Sequence, residues 1–361
     1  TDITPSAIRE IGLVTSALWS DVNDDGWVDL LVTQEWGPVI LYANTKGELG
    51  QAIPISGSGW WNSIAGTDID GDGDIDYALG NFGLNTKYHA STEHPTLLYY
   101  GDMENTGRPH IIEAEFEDAV LYPMRGRSCS SGAMPTLAKR FPTFKSFAAA
   151  SLAKIYDGNR LAQSQKLQAT TLESGILVNV TEGGVQAFKW NPLPRTAQIA
   201  PVFGLSFTEI NGDGFPDLVL AQNFHGPQRE TGHMDGGVGL VLLGDGQTNF
   251  TPVWPDKSGI AVSGHATSLS INDINSDGLP DLFIGINAAK PASYEHSKTT
   301  TNQTLCIRLP STSLPGTRVT VHLKAGTQQT SETHIGGGYL SQSAPLLFFG
   351  LRDGGTKAVK E

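Results

Sequence analysis

One nine-residue frame occurs four times in this chain and constrains its fold more than any other feature. Each copy has oxygen-bearing side chains at positions 1, 3, 5 and 9 and glycine at position 6; the copies begin at Asp21, Asp68, Glu209 and Asp273. Acidic side chains packed this closely repel one another unless a divalent cation lies between them, and Ca²⁺ takes six to eight oxygen ligands. We therefore predict about four Ca²⁺ ions, one for each copy.

The predicted calcium ligands are the side chains at positions 1, 3, 5 and 9 and the backbone carbonyl at position 7, where the side chain varies without pattern. In the first two copies these residues are Asp21, Asn23, Asp25, Trp27, Asp29, Asp68, Asp70, Asp72, Asp74 and Asp76. In the last two copies they are Glu209, Asn211, Asp213, Phe215, Asp217, Asp273, Asn275, Asp277, Leu279 and Asp281. A partial copy begins at Asp102, but Thr106 and His110 replace two acidic ligands, so we expect no ion there.

The residues around each copy indicate a β-hairpin. Asp, Asn and Gly favour turns, so a single copy could be an ordinary turn, but turn preference does not impose one register four times. An EF-hand loop requires Glu at position 12, where this chain has Val32, Leu79, Leu220 and Ile284. A short apolar run follows each copy and alternating residues such as 267–271 precede it, which is typical of paired strands.

The repeated frame resembles the calcium-binding FG-GAP/VCBS repeats of integrin α-subunits and of many secreted bacterial proteins. In that family each repeat forms one four-stranded blade of a β-propeller. Residues 59–63, 80–88 and 125–131 are similar to the bacterial branch in which a propeller precedes an ASPIC/UnbV domain. The resemblance implies an all-β fold built from a propeller, which this chain need not contain in full, with a small C-terminal β module. It implies no particular reaction.

We predict the propeller over residues 1–290 and an ASPIC/UnbV-like β domain over residues 304–361, with a polar linker at about 288–303. Residues 96–100 read as a further strand of the second blade. The C-terminal domain stops short at Glu361, so we expect further domains of a longer polypeptide.

Residues 120–170 interrupt the strand pattern, and we predict a helical insertion there. Apolar residues recur at helical spacing over 143–157, where Thr143 is a suitable N-cap and Asp157 precedes a glycine that would end the helix. This helix is expected to bury Phe144, Phe147, Leu152 and Ile155 on one face.

Composition excludes some function classes. Three of the four copies supply three carboxylates and the second supplies four, so four Ca²⁺ ions would change the formal net charge from −13 to about −5. The chain has no basic stripe for nucleic acid and no apolar run near the ~18 residues that span a membrane. Loops of this kind need the Ca²⁺ concentrations found outside the cytoplasm, so we expect an extracellular, cell-surface or periplasmic protein.

Three polar clusters are candidates for a second ligand site. They are residues 125–131, residues 81–88 with Asn81 and Tyr88, and residues 222–235 with Gln222, Asn223, His225, Glu230, His233 and Asp235. The candidate ligand-binding residues are Arg125, Arg127, Ser128, Asn85, Lys87 and Arg229. The alternative is that these side chains brace the blades through hydrogen bonds to backbone. Trp60 and Trp61 could stack on sugars, although such aromatic residues usually lie in the core.

Two functions remain open. The favoured interpretation is a calcium-stabilised scaffold for binding or adhesion, with a glycan or an extracellular protein as ligand. The alternative is a polysaccharide lyase or hydrolase with its site in the propeller funnel, which requires an acid and a base that converge in one pocket. No catalytic residue is predicted. Cys129 would need a neighbouring base to act as a nucleophile. Cys129 and Cys306 could form a disulfide or remain as two free thiols, and the sequence does not decide between these alternatives.

Overall fold

The computed structural model describes residues 8–182, 186–227, 231–297, 302–310, 313–324, 326–352 and 356–360. Strands dominate this part of the chain and the helices are short, which confirms the predicted all-β class. Two compact units are present. The larger unit comprises residues 1–56, 61–86 and 173–361, and the inserted unit comprises residues 57–60 and 87–172.

The larger unit begins with two antiparallel sheets. The first contains β1 (Leu13–Ser20), β2 (Asp29–Gly37), β3 (Ile40–Thr45) and β4 (Glu48–Pro54), paired in that order. The short strand β5 (Gly59–Trp60) belongs to the inserted unit. The second sheet begins with β6 (Ser63–Thr67) and β7 (Asp76–Gly80), which pair antiparallel.

The inserted unit combines a sheet with five short helices. Its elements are β8 (Thr96–Gly101), β9 (His110–Glu117), β10 (Val120–Pro123), α1 (Arg127–Ala133), α2 (Thr136–Arg140), α3 (Phe144–Ala148), α4 (Leu152–Tyr156), α5 (Gly158–Gln163) and β11 (Gln165–Ala169). The sheet order is β10-β9-β8-β11. The prediction that residues 96–100 belong to the second blade is therefore wrong, because β8 pairs with β9 and β11 instead.

The single helix predicted over 143–157 is also wrong, although its start is correct. Thr143 caps α3 by accepting a hydrogen bond from the Ser146 N–H at 3.0 Å. Helix α3 ends at Ala148, and extended backbone at Ser151 precedes α4. Phe147, Leu152 and Ile155 are buried as expected, but Phe144 is 66% exposed. The Arg127 guanidinium lies over the Phe144 ring, 5.4 Å from its centroid.

The chain then returns to the larger unit and completes the second sheet. The elements are β12 (Gly175–Asn179), β13 (Phe188–Pro192), a 3-10 helix (Arg195–Gln198), β14 (Val202–Thr208), β15 (Asp217–Gln222), β16 (Leu240–Gly244), β17 (Phe250–Val253), α6 (Pro255–Ser258), β18 (Ala266–Asn272), β19 (Asp281–Ile286) and β20 (Ala292–Tyr294). The sheets are β6-β7-β12-β13, β14-β15-β16-β17 and β18-β19-β20. Strand β20 lies where a polar linker was expected.

Successive sheets of the larger unit place their first strands side by side, as propeller blades do. Strand β6 contacts both β1 and β14, and β14 contacts β18. The packing of strand β15 explains why its residues are apolar at consecutive positions. Leu218 and Leu220 enter one core cluster, whereas Val219 and Ala221 enter another. Alternate side chains point to opposite faces of a strand, so a sheet covered on both faces needs apolar residues at both.

The C-terminal strands also belong to the larger unit. They are β21 (Gln303–Arg308), β22 (Arg318–Leu323), β23 (Gln328–Glu332), β24 (Ile335–Gly336), β25 (Leu346–Leu351) and β26 (Thr356–Lys360). Strand β21 pairs with β25, and β22 pairs with β23 and β26. Strand β24 pairs with β1, where Gly336 is essential because a Cβ atom would collide with the Ala17 carbonyl oxygen. Among the residues described, each helix is too short or too polar to cross a bilayer.

Candidate metal centres

The four intact frames lie at the tips of the hairpins β1–β2, β6–β7, β14–β15 and β18–β19. In each hairpin the residue at position 9 is the first of the second strand, and it pairs with the last residue of the first strand. Positions 1 to 8 therefore form the loop between two paired strands. This is the arrangement that the flanking apolar runs predict.

The acidic residue at position 1 organises each loop from inside. The Asp21 carboxylate accepts hydrogen bonds from the N–H groups of Asp25 and Gly26 at 3.1 and 2.9 Å. Asp68 and Asp273 accept two backbone N–H groups of their own loops in the same way, and the Glu209 carboxylate accepts the N–H groups of Gly212 and Gly214. The loop backbone therefore winds around this carboxylate.

Position 9 is buried in all four hairpins and links three elements. One carboxylate oxygen of Asp281 accepts the Ile274 N–H at 2.7 Å, and the other accepts the His296 N–H at 2.8 Å. In the other three hairpins the residue at position 9 also accepts one N–H group from its own loop and one from a separate segment. These residues are Asp29, Asp76 and Asp217. Each of these residues thus holds its loop against the next strand or the segment beside it, in addition to its predicted role as a metal ligand.

Positions 3 and 5 add further side-chain oxygen atoms to each loop, where they also accept backbone N–H groups. In the second loop Asp70 accepts the Asp72 N–H, and Asp72 accepts the Asp74 N–H at 2.9 Å, each through one oxygen only. Oxygen atoms of Asp68, Asp70 and Asp76 lie within 4.8 Å of one another. A set of hard oxygen donors converging on one point suits Ca²⁺, so the residues present fit the ion that the sequence predicts.

Burial disfavours the charged form of several carboxyl groups in these loops. Burial raises the pKa of Asp29 to about 6 and of Asp68 and Asp217 to about 7. Burial raises the pKa of Asp76 and Glu209 to about 8, and neighbouring acidic groups add to the shift. A carboxylate is destabilised when it loses solvent without gaining a cation. A divalent ion would remove that cost.

The partial fifth frame has a similar loop shape but different partners. It lies at the β8–β9 tip, where Asp102 accepts the N–H groups of Glu104, Thr106 and Gly107. The Glu104 carboxylate accepts a hydrogen bond from the Thr136 hydroxyl of α2. The Glu104 carboxylate thus has a hydroxyl partner outside its own loop. The expectation that this loop holds no ion remains a prediction.

The C-terminal strands contact the first loop through a buried ion pair. Arg318 of β22 lies 3.3 Å from the Glu332 carboxylate and 2.9 Å from that of Asp24, and it also donates to the Asp21 carbonyl. Glu332, whose side chain is fully buried, accepts the Asp21 N–H at 3.2 Å. Burial raises the pKa of Glu332 to about 7, although Arg318 opposes this. The first loop is therefore held by residues some 300 positions later in the chain.

The third loop is also contacted by residues near the C-terminus of the chain. Asn302 donates to the Asn211 carbonyl at 3.1 Å, and the carbonyl of Gly350 is close to the Gly214 backbone. Gln329 of β23 donates to that same Gly350 carbonyl at 2.7 Å. We call these C-terminal contacts on the first and third loops the clasp. Sequence reasoning missed the clasp residues, because nothing in a short β-strand pattern indicates a partner so far away in the chain.

A cavity of about 140 Å³ lies where the first strands of the sheets meet the C-terminal segment. Leu18, Ala65, Leu205 and Leu269 line it from β1, β6, β14 and β18, and His334 lines it from the C-terminal segment. Burial lowers the pKa of His334 to about 4, so this imidazole is neutral near pH 7. The cavity volume corresponds to a few water molecules, at about 30 Å³ each.

The polar residues predicted to bind a second ligand mostly have structural partners. Arg125 pairs with Glu113 at 2.5 Å, and Arg127 donates to the Phe141 carbonyl at 2.6 Å, both within the inserted unit. In the larger unit Asn85 donates to the Ile199 carbonyl at 3.1 Å. Ser128 is exposed, Lys87 is half-buried and Arg229 lies outside the described residues.

Other sequence candidates are also engaged in the fold. Gln222 donates to the Ala197 carbonyl, and Asn223 donates to the Gly237 carbonyl at 2.8 Å. Trp60 and Trp61 are 7% and 1% exposed, so neither offers a face for a sugar. These contacts agree with the bracing role that the sequence left open.

Comparison with known families supports the repeat assignment. The family of FG-GAP-like repeats matches residues 21–79 and 209–284, two spans that together contain all four intact loops. The family ASPIC and UnbV matches residues 310–360, which include β22 to β26. No curated protein matches the chain significantly. The chain therefore contains FG-GAP-like repeats, followed by an ASPIC and UnbV domain.

Proposed function

We propose that this protein is a calcium-stabilised scaffold that works outside the cytoplasm and binds a glycan or an extracellular protein. The observation that carries the proposal is the fourfold geometry of the hairpin tips. In every tip the acidic residues at positions 1 and 9 are held by backbone N–H groups, while positions 3 and 5 present further oxygens. One ion per tip would neutralise charges that the fold otherwise leaves close together.

The placement of the ligands supports a structural role for calcium. The buried aspartates at position 9 connect each loop to the strand or segment beside it, so an ion bound there strengthens the sheet itself. The clasp adds the C-terminal domain to the first and third loops. Calcium sites of this composition fill at the concentrations found outside cells. FG-GAP repeats are typical of extracellular proteins, which supports the same location.

The alternative, a polysaccharide lyase or hydrolase in the funnel, has weaker support. The cavity beside the first strands holds about 140 Å³, whereas small-molecule sites usually have about 300–1,000 Å³. His334 and the Glu332–Arg318 pair are fixed by burial and by each other. This cavity could not admit a sugar chain without movement of the C-terminal segment.

The experiment is a glycan-array and secreted-protein binding screen of the full chain, run in millimolar Ca²⁺ and again after chelation. The proposal predicts saturable binding that needs Ca²⁺ and no turnover of the bound ligand. The control is Asp102→Ala, at the loop predicted to hold no ion, which should bind as the unaltered chain does. Calcium-independent binding, or cleavage of a bound polysaccharide, would contradict the scaffold proposal.

A further inference from the structure

The loop after β15 closes into a small hairpin of its own. Phe224 and Met234 form an antiparallel bridge in which each N–H donates to the other carbonyl at 2.9 Å. His225 and His233 occupy the next pair of positions inside this bridge, and side chains directly opposite in an antiparallel pair lie on the same face. Their rings stack at 4.7 Å between centroids with only 10° between planes.

Asp235 brings a carboxylate to the same place. It follows Met234, so alternation along the strand puts its side chain on the face that carries His233. One donor atom from each of His225, His233 and Asp235 lies within 4.8 Å of the other two. His233 and Asp235 are exposed and His225 is half-buried, so the cluster is open to solvent on one side.

Packing alone does not account for the imidazoles. Among the described residues, the buried Nε2 atoms of His225 and His265 have no hydrogen-bond partner. His265 is only 6% exposed, and its ring centroid lies 5.7 Å from that of His225. A buried polar atom left without a partner destabilises the fold. Two such atoms beside one another indicate that something polar or metallic normally completes the site.

We propose that His225, His233 and Asp235 bind a divalent transition-metal ion of the zinc type, separate from the calcium loops. Imidazole nitrogen favours zinc and its neighbours, whereas Ca²⁺ favours oxygen. Zinc lies about 2.0–2.1 Å from such donors, and donor atoms within 4.8 Å of one another can reach one ion by small side-chain rotations. The exposed side chains of His233 and Asp235 are free to make that rotation. Three protein ligands leave at least one coordination position open to water or a ligand.

The test is Co²⁺ and Zn²⁺ binding to the calcium-saturated full chain. Visible absorption reports the coordination of Co²⁺, and calorimetry reports the affinity for Zn²⁺. We expect one Co²⁺ per chain, displaced by Zn²⁺ but not by excess Ca²⁺. His225→Ala and His233→Ala should each weaken Zn²⁺ binding by about tenfold or more, on the scale by which even supporting residues affect metal affinity. Asp235→Asn should weaken it as well.

His89→Ala is the matched control, because His89 is 84% exposed and lies in the inserted unit. It should leave Zn²⁺ affinity unchanged. His233 is exposed, so His233→Ala gives a folded variant even if His225→Ala does not, and calcium-dependent melting verifies the fold of each. Equal affinity in the His233→Ala variant and the unaltered chain, or displacement of Co²⁺ by Ca²⁺, would overturn the proposal. The calcium scaffold would be unaffected by that result.

Discussion

The fourth hairpin separates two roles of its acidic residues, and a matched pair of substitutions tests them. Asp277 at position 5 is exposed and accepts two hydrogen bonds from its own loop, the Leu279 N–H at 2.9 Å and the Asn275 side-chain amide at 3.0 Å. Asp281 at position 9 is fully buried and accepts two N–H groups from separate segments. Asp277→Ala should therefore remove a metal ligand with little other effect. Asp281→Ala should remove a ligand and two structural hydrogen bonds.

The magnitudes follow from these contacts. At a free Ca²⁺ concentration 100-fold above Kd, one site adds about 2.7 kcal/mol to the free energy of unfolding, and Asp277→Ala should lose most of it. In chelator the same substitution should have almost no effect. Asp281→Ala leaves two N–H groups without an acceptor, which costs about 1–2 kcal/mol each at these partly buried positions with or without Ca²⁺. With Ca²⁺ present, Asp281→Ala also loses the free energy that the bound ion contributes.

The assay is thermal unfolding of both variants and the unaltered chain, in millimolar Ca²⁺ and in EDTA. With about 2 °C for each kcal/mol in a domain of this size, Asp277→Ala should lower Tm by about 5 °C in Ca²⁺ only. Asp281→Ala should lower Tm under both conditions. If Asp277→Ala lowered Tm equally in Ca²⁺ and in EDTA, the loop would be an ordinary turn and the calcium argument would be refuted. An Asp281→Ala variant as stable as the unaltered chain in EDTA would refute the structural role of position 9.

Three further predictions concern other parts of the molecule. Metal analysis should find about four Ca²⁺ per chain and no ion at the loop from Asp102; a content of one ion or fewer would contradict this. Arg318→Met should destabilise the fold by about 3–5 kcal/mol in urea unfolding, because Glu332 is left buried and unpaired, and adding Glu332→Gln should restore part of the loss. His334 has a folded pKa of about 4 against 6.5 when unfolded, so its neutral form is favoured by folding and stability falls as pH drops through this window. In saturating Ca²⁺, His334→Gln should remove about 2 kcal/mol of the loss between about pH 7.5 and 5; an unchanged pH dependence in this variant would contradict the prediction.

The sequence predicts well what depends on neighbouring residues. The 1-3-5-9 register and the apolar runs beside it are local, and the structure places all four frames at hairpin tips. The helix over 143–157 fails for a local reason as well, since periodic apolar residues continue across Ser151, where the backbone is extended. The spacing of apolar side chains predicts helical structure, but it does not indicate where one short helix ends and the next begins.

Distant pairings are beyond such analysis. Strand β12 joins β7 although the inserted unit separates them, and Asn179 bonds to Asp76 across 103 residues. Arg318 meets Asp24 across 294 residues. Neither partner carries a local signal, because Arg318 stands in an ordinary alternating strand. Equally, His225 and His233 become neighbours only through the bridge between Phe224 and Met234.

The clasp has a consequence for the order in which the chain is made. Chains fold from the N-terminus as they are synthesised, so the hairpin that carries Asp24 emerges long before Arg318 and Glu332. Until those residues are synthesised, the Asp21 N–H lacks its buried acceptor, and only the other strands of its sheet stabilise the first hairpin. A chain released before β22 would keep its four loop sequences but leave the first tip without Arg318 and Glu332. The contacts of the first loop are therefore complete only once β22 and β23 have been synthesised.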